Sequence, residues 1–215
     1  MVDIESKKIR SMYEYLSAET SPLKYADWTL VFGRADELVA ERAIQLLEDP
    51  LVDYALIIGG IGKDSRSLAR LQIPEAHYIA SLMLSNMDLA GDRIYVEPRP
   101  TNGGECWEMG IETLLKNNLP HEDLTVVIHP TSLRRIMAQG DTIMRRVGFE
   151  AKLQGTGTHY NFDPRNPVDQ KEAVGELLRL ADWPGKGFCT AQADLPVDLV
   201  QVARDYDSAW KAEKK

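Results

Sequence analysis

The chain has 215 residues and a formal net charge of −8 at pH 7, with 44% hydrophobic and 27% charged residues. This length and composition are typical of one globular domain with a sizeable core. The negative balance excludes a general nucleic-acid or anionic-membrane binder, because such proteins need positive surfaces, but it leaves room for a local basic pocket.

Cysteine usage and the absence of targeting segments predict a cytoplasmic protein. Cys106 and Cys189 are far apart and form neither a Cys-x-x-Cys pair nor a disulfide framework. The charged start has no apolar run behind it, which does not fit a signal peptide. No stretch approaches the roughly 20 apolar residues of a membrane helix, so we expect no membrane association.

Short apolar runs alternate with longer segments of helical spacing. Runs that are apolar on both faces suit strands covered on both sides. Five such runs predict strands at Trp28–Phe32, Tyr54–Ile58, Arg93–Val96, Leu124–Ile128 and Glu150–Leu153.

Apolar stripes predict the helices between these strands. The longest stripe consists of Leu133, Ile136, Met137, Gly140, Ile143, Met144 and Val147. Other stripes are marked by Val39–Leu47, by Ile79, Leu82, Met83 and Met87, and by Cys106–Leu114, with further helices near 4–17, 168–181 and 196–212.

This order predicts an α/β fold. We expect a Rossmann-like three-layer sandwich with a mainly parallel five-stranded sheet and a helical C-terminal extension. The chain would be one domain, with an N-terminal helix in 1–27, a βα core in 28–160 and a helical tail in 161–215. Ligands of such sheets bind at the carboxyl ends of the strands, near the point where strand order reverses.

Polar groups concentrate in the loops that follow the predicted strands. These loops are Gly33–Asp36, Gly59–Ser65, Thr101–Glu105, His129–Arg135 and Gly155–His159. Parallel strands would bring them to one edge. The candidate ligand-binding residues there are Gly33, Arg34, Gly59, Gly60, Gly62, Thr101, Asn102, Gly104, Glu105, Thr131, Arg134 and Arg135.

The Gly59–Ser65 loop offers closely spaced backbone N–H groups of the kind that wrap a phosphate or carboxylate. It matches neither the Gly-x-Gly-x-x-Gly nor the P-loop fingerprint. A tight strand-to-helix turn explains it equally well.

The segment Asn102–Glu105 has the spacing of a capping box, with Asn102 as N-cap and Glu105 three residues later. Capping leaves Thr101, Gly103 and Gly104 unexplained. Two adjacent glycines in the first turn of a helix cost roughly 1 kcal/mol each in helix stability, compared with alanine. The close approach of a ligand or a strand would account for them.

Arg134 and Arg135 fall in the first turn of a predicted helix, where basic residues are unfavourable unless an anion is near. A solvated helix face is the alternative. His129 stands at a strand end and could act as acid, base or ligand contact, or could be structural. The catalytic residue is not identified by the sequence, and His129 and Glu105 are the candidates for that role.

No recognised hydrolase or metal motif is present. Gly-x-Ser-x-Gly is absent, and no His or Cys cluster requires a metal. Carboxylates at Asp64, Glu75, Glu97 and Glu105 leave a weakly held Mg²⁺ beside a phosphate as an open alternative.

Together, these loops resemble the YdcF-like family, which is related to the SanA and ElyC envelope proteins. The likeness runs nearly end to end and rests on Ile57–Gly62, Glu75-Ala76, Glu97 with Thr101–Glu105, and Pro130-Thr131 with Arg134-Arg135. Arg42 resembles a recurring arginine of the first crossover helix. Cys106 departs from the pattern, since the family commonly has asparagine there.

The resemblance implies a Rossmann-like fold that binds S-adenosylmethionine. By analogy its pocket would be lined by Gly59, Gly60, Gly62, Glu75, Thr101, Asn102, Glu105 and Arg134. The SanA and ElyC branch is membrane-anchored, and the missing anchor favours the soluble branch.

Three functions stay open. The first is binding, with or without a reaction, of a small anionic or nucleotide-like molecule such as S-adenosylmethionine. The second is a hydrolase or transferase for a phosphorylated or carbohydrate-linked substrate, held by Arg134, Arg135 and the Gly59–Ser65 loop. The third is a non-catalytic interaction protein that uses its acidic surface and tail. The sequence does not predict an oligomeric state.

Overall fold

A computed structural model describes residues 2–62, 65–86 and 91–212. The helices are α1 (Val2–Leu16), α2 (Glu37–Glu48), α3 (Arg66–Leu71), α4 (Glu75–Asn86), α5 (Gly103–Asn117), α6 (Pro130–Val147), α7 (Pro167–Asp182) and α8 (Val197–Ala212). The strands are β1 (Ala26–Phe32), β2 (Val52–Ile58), β3 (Ile94–Glu97), β4 (Asp123–Ile128) and β5 (Lys152–Gly157).

The five strands form one sheet in the order β3-β2-β1-β4-β5, and every neighbouring pair is parallel. The predicted α/β, Rossmann-like sandwich is therefore confirmed. Strand order reverses between β1 and β4, so this pair forms the topological switch point.

Side chains along β1 alternate between the two faces of the sheet and contribute to two hydrophobic cores. Trp28, Leu30 and Phe32 point to the side covered by α5 and α6, and Val31 points to the side covered by α2 and α4. This two-residue period is the geometry of a strand. It explains why the strand runs are apolar throughout.

The first and last segments of the chain share a third core. Ile9 and Met12 of α1 pack in one cluster with Leu177 of α7, Ala203 of α8 and Ala138 of α6. The helical tail therefore packs on the body of the molecule.

The first four strands match their predicted bounds to within two residues at each end, but the last strand and one helix differ more. The final strand was predicted at Glu150–Leu153 but runs over Lys152–Gly157, because its backbone pairs with β4 as far as Ile128↔Gly157. Backbone pairing needs no apolar side chain, which is why apolar periodicity missed it. The short α3 was not predicted, and Met87 lies outside the described residues.

None of the described helices has the length and apolar character needed to cross a membrane.

Candidate functional site

The switch point brings together three predicted site residues. Arg34 follows β1, and His129 and Thr131 follow β4, which is hydrogen-bonded to β1. The parallel register makes the carboxyl ends of these strands neighbours. The predicted convergence therefore holds for these residues.

Glu172 of α7 links these groups, although sequence reasoning did not single it out. Its carboxylate accepts hydrogen bonds from both terminal nitrogens of Arg34 and from Thr131 Oγ1 at 2.8 Å. Burial raises the pKa of Glu172, but Arg34 and Thr131 outweigh burial and hold it at about 2. Glu172 is therefore an anion at neutral pH.

His129 is a neutral imidazole of defined tautomer. Its Nδ1 lies 2.8 Å from Thr131 Oγ1, and the hydroxyl proton of Thr131 is donated to Glu172. Nδ1 must therefore carry a proton and donate it to Thr131, which leaves Nε2 with a lone pair. Burial and the nearby Arg34 guanidinium lower the pKa of His129 to about 4.

Tyr160 fixes the plane of the His129 ring from the segment after β5. The two rings meet edge to face, with centroids 4.4 Å apart, and the Tyr160 hydroxyl donates to Asp169 Oδ1 at 2.6 Å. Burial and that carboxylate raise the pKa of Tyr160. The imidazole is thus held both by hydrogen bonding and by ring packing.

The Gly59–Ser65 loop is a tight turn in its described part. Gly59 N donates to Glu97 O at 3.0 Å, Gly60 N to Pro100 O at 2.6 Å, and Gly62 N to Ser65 Oγ at 2.7 Å. A Cβ on Gly60 would lie 2.7–3.0 Å from the backbone oxygens of residues 98–100. Close backbone approach therefore explains this glycine, and Lys63 and Asp64 lie outside the described residues.

The predicted edge carboxylates also have protein partners. Ser65 Oγ donates to Glu75 Oε1 at 2.8 Å, and Glu75 in turn lies against Gly33. Hydrogen bonds from Arg99 hold the pKa of Glu97 below its usual range. In the described residues, no group of three His, Cys, Asp or Glu side chains has the geometry to hold a metal.

The start of α5 has the predicted N-cap, Asn102, but the Glu105 carboxylate bonds to the backbone N–H of Thr101, the residue before the N-cap, and not to that of the N-cap itself. Asn102 Oδ1 accepts from Gly104 N and Glu105 N, both at 3.1 Å. The Glu105 carboxylate accepts from the N and Oγ1 of Thr101, at 2.7 and 2.9 Å, and these bonds lower the pKa of Glu105. Both side chains thus have a structural role.

Gly103 is explained by helix packing and not by a ligand or a strand. A Cβ there would lie 2.8 Å from Ile136 Cδ1 and 2.9 Å from Gln139 Oε1, both on α6. Cys106, three residues further along α5, is buried, and burial raises the pKa of its thiol to about 12. The thiol is therefore not a nucleophile at neutral pH.

Arg134 and Arg135 point to different sides of α6. Arg135 forms an ion pair with the buried Glu176 of α7. Arg134 donates to the carbonyl oxygen of Tyr15 at 3.2 Å and forms an ion pair with Asp194. Arg134 thus contacts the end of α1 and the segment before α8, whereas Arg34 pairs with Glu172 of α7.

The carboxylates that pair with Arg34, Arg134 and Arg135 were missed because all three lie in the tail; they are Glu172, Asp194 and Glu176. A signal was present for two of them, since Glu172 and Glu176 recur at helical spacing beside the buried Ala173 and Leu177. Acidic residues on the buried face of a helix require partners, and arginines at the sheet edge are natural ones.

Comparison with known proteins adds no assignment. A scan against models of protein families finds no match to this chain, and a search of curated proteins finds none either. The similarity to the YdcF-like family therefore stays a prediction.

Proposed function

We propose that this protein binds a small nucleotide-like ligand at the β1/β4 switch point, with S-adenosylmethionine as the first candidate. The location follows the rule that ligands of open parallel sheets bind where strand order reverses. Arg34, His129 and Thr131 supply polar groups at that point, held in place by Glu172.

The observation that carries the choice of ligand is the neutralisation of Arg34 by Glu172. The bidentate pair leaves no excess positive charge, and Asp36 and Asp169 add negative charge close by. Such a field disfavours a polyphosphate. It favours a ligand with cationic groups, and S-adenosylmethionine carries a sulfonium and an ammonium beside one carboxylate.

The groups that a hydrolase or transferase would use to hold a phosphorylated substrate are engaged by other parts of the chain. That alternative needed Arg134, Arg135 and the Gly59–Ser65 loop to hold the anion together. Both arginines are paired with tail carboxylates, and Gly59, Gly60 and Gly62 donate to other groups of the chain. We therefore do not propose it.

Membership of the YdcF-like family and a cytoplasmic location belong to the same proposal. Both cysteines are free thiols, which fits a reducing compartment.

Isothermal titration calorimetry with S-adenosylmethionine, S-adenosylhomocysteine, adenosine and ATP tests the proposal. We expect S-adenosylmethionine to bind more tightly than ATP. Glu172→Gln removes one negative charge and should shift the preference toward ATP. Asp207→Asn, which alters an exposed pair on α8, is the matched control and should change nothing. If no adenosyl compound binds at millimolar concentration, the proposal is wrong.

A further inference from the structure

Two polar residues directly follow the ends of neighbouring strands. Ile128↔Gly157 is the last pair of the β4–β5 register, and His129 and Thr158 are the residues that come next after β4 and β5. Both are buried, and both retain a side-chain atom without a hydrogen-bond partner in the described part of the chain.

The free atom of His129 is Nε2, which can only accept. Nδ1 holds the proton and is committed to Thr131. The His129 side chain as a whole is 2% exposed.

The free atom of Thr158 is its hydroxyl, which can both donate and accept. A buried hydroxyl without a partner is unfavourable, because its hydrogen bonds to water are lost on folding and no hydrogen bond within the protein replaces them. Such groups in native proteins generally have an explanation, such as an ordered water or a ligand.

We propose that His129 Nε2 and Thr158 Oγ1 form a subsite that recognises a hydroxyl group of the ligand, as on a ribose. This inference rests on the proposed function, since it names the part of the nucleotide-like ligand that enters there. The ligand hydroxyl donates to Nε2 and accepts from Thr158 Oγ1. An ether or carbonyl oxygen cannot donate to Nε2, and an ammonium cannot accept from Thr158.

The subsite binds the hydroxyl without removing its proton. The low pKa of His129 makes Nε2 a weak base, although it remains an acceptor throughout the neutral range. His129 is on this view a specificity residue, with Thr131 and Glu172 as the positioning residues that fix its tautomer.

Removal of the Thr158 hydroxyl is the first test, with Thr29 as its control. Both threonines carry an enclosed, unpartnered Oγ1, but Thr29 lies in the middle of β1. We expect Thr158→Val and Thr29→Val each to raise the midpoint of thermal unfolding by about 2–4 °C. Only Thr158→Val should weaken adenosine binding, by about fivefold or more. A lower midpoint and unchanged affinity in Thr158→Val would indicate a bound water only and overturn the inference.

Deletion of the hydroxyl from the ligand is the second test. Adenosine is compared with 2′-deoxyadenosine and 3′-deoxyadenosine on the wild type and on His129→Asn, whose amide keeps a donor toward Thr131 but has no Nε2. We expect one deoxy compound to bind about tenfold more weakly to the wild type, and the difference to vanish in the variant.

The tautomer is measured on the wild type by ¹⁵N NMR of the imidazole, which does not depend on any variant folding. A proton on Nε2 would overturn the inference. Equal affinity for adenosine and both deoxy compounds would also overturn it and leave the proposed function standing. Failure of every adenosyl compound to bind would reject the proposed function itself, and this subsite with it.

Discussion

Glu172 holds Arg34 through both carboxylate oxygens and so ties α7 to the carboxyl end of β1. The same carboxylate accepts from Thr131 at the end of β4. One side chain of the tail thus spans the two strands between which the order of the sheet reverses. The tail is therefore part of the candidate site.

This arrangement predicts a loss of stability in acid. The folded-state pKa of His129 is about 4, against 6.5 in the unfolded chain, so its contribution is complete above pH 6.5 and disappears as the pH falls to about 4. We expect the free energy of unfolding to drop by about 2–4 kcal/mol over that window. Glu172, with a pKa of about 2 against 4.5, extends the loss from pH 4.5 downward. Urea titrations at a series of pH values measure both.

His129→Asn is the control for the first window. The amide does not titrate, so the dependence between pH 6.5 and 4 should flatten while the loss below pH 4.5 remains. An equally steep dependence in the variant would show that other groups cause it.

The ion pair of Arg135 with the buried Glu176 should contribute strongly to the stability of the interface between α6 and α7. Ser132, Arg135 and Arg179 all donate to or pair with Glu176, whose side chain is 6% exposed. Glu176→Gln leaves the Arg135 guanidinium, whose side chain is 13% exposed, without its counter-charge, and we expect a loss of about 2–4 kcal/mol in chemical denaturation.

Asp207→Asn provides the comparison for this loss. Its partner, Lys211, is one turn away on α8, and both side chains are exposed. The change should stay within about 0.5 kcal/mol, as for other exposed pairs. Similar losses in the two variants would contradict a specific role for the pair of Arg135 and Glu176.

The fold was predictable because its signals are local. Most predicted strand runs are apolar on both faces, and the helices between them, apart from the short α3, carry apolar stripes, so the parallel sheet followed from the order of these segments. The last strand is the exception: Leu153 is the one large apolar residue of β5, and backbone pairing with β4 extends the strand through Gly155 to Gly157. Such pairing depends on a distant segment and cannot be seen locally.

The site was only partly predictable, because the partners of its residues are distant in sequence. Arg34, His129 and Thr131 were singled out from their positions after strands. Glu172 lies 138 residues beyond Arg34 and pairs with it only because α7 packs across the sheet edge. Arg134 and Arg135 show the same limit. They are adjacent in sequence but lie on different sides of α6, and they pair with Asp194 and Glu176 respectively.

Alanine substitutions at two helical glycines, Gly140 and Gly175, should have opposite effects on the stability of the protein. A Cβ on Gly140 of α6 would lie 2.6 Å from Cε2 of the buried Trp107, whose indole nitrogen donates to the Ile136 carbonyl oxygen at 2.9 Å. Gly140→Ala should therefore destabilise the protein by about 1–3 kcal/mol. A Cβ on Gly175 of α7 would meet only the end of Arg179 at 3.6 Å, so Gly175→Ala should stabilise it by about 0.5–1 kcal/mol. Thermal unfolding of the two variants separates the effects, and the same sign in both would contradict this packing.

Substitution of Arg134 should loosen the packing of the tail without changing the affinity for the ligand. Its guanidinium lies 3.9 Å from the Tyr15 ring centroid and pairs with Asp194, so it joins the end of α1 to the segment before α8. Arg134→Ala should expose residues 183–196 to limited proteolysis while the affinity for adenosyl compounds stays within about twofold. Arg145→Ala is the control, because Arg145 pairs with Asp141 on its own helix and is exposed, and it should change neither readout. A tenfold or greater loss of affinity in Arg134→Ala, with proteolysis unchanged, would put Arg134 in the ligand site and contradict the location at the β1/β4 switch point.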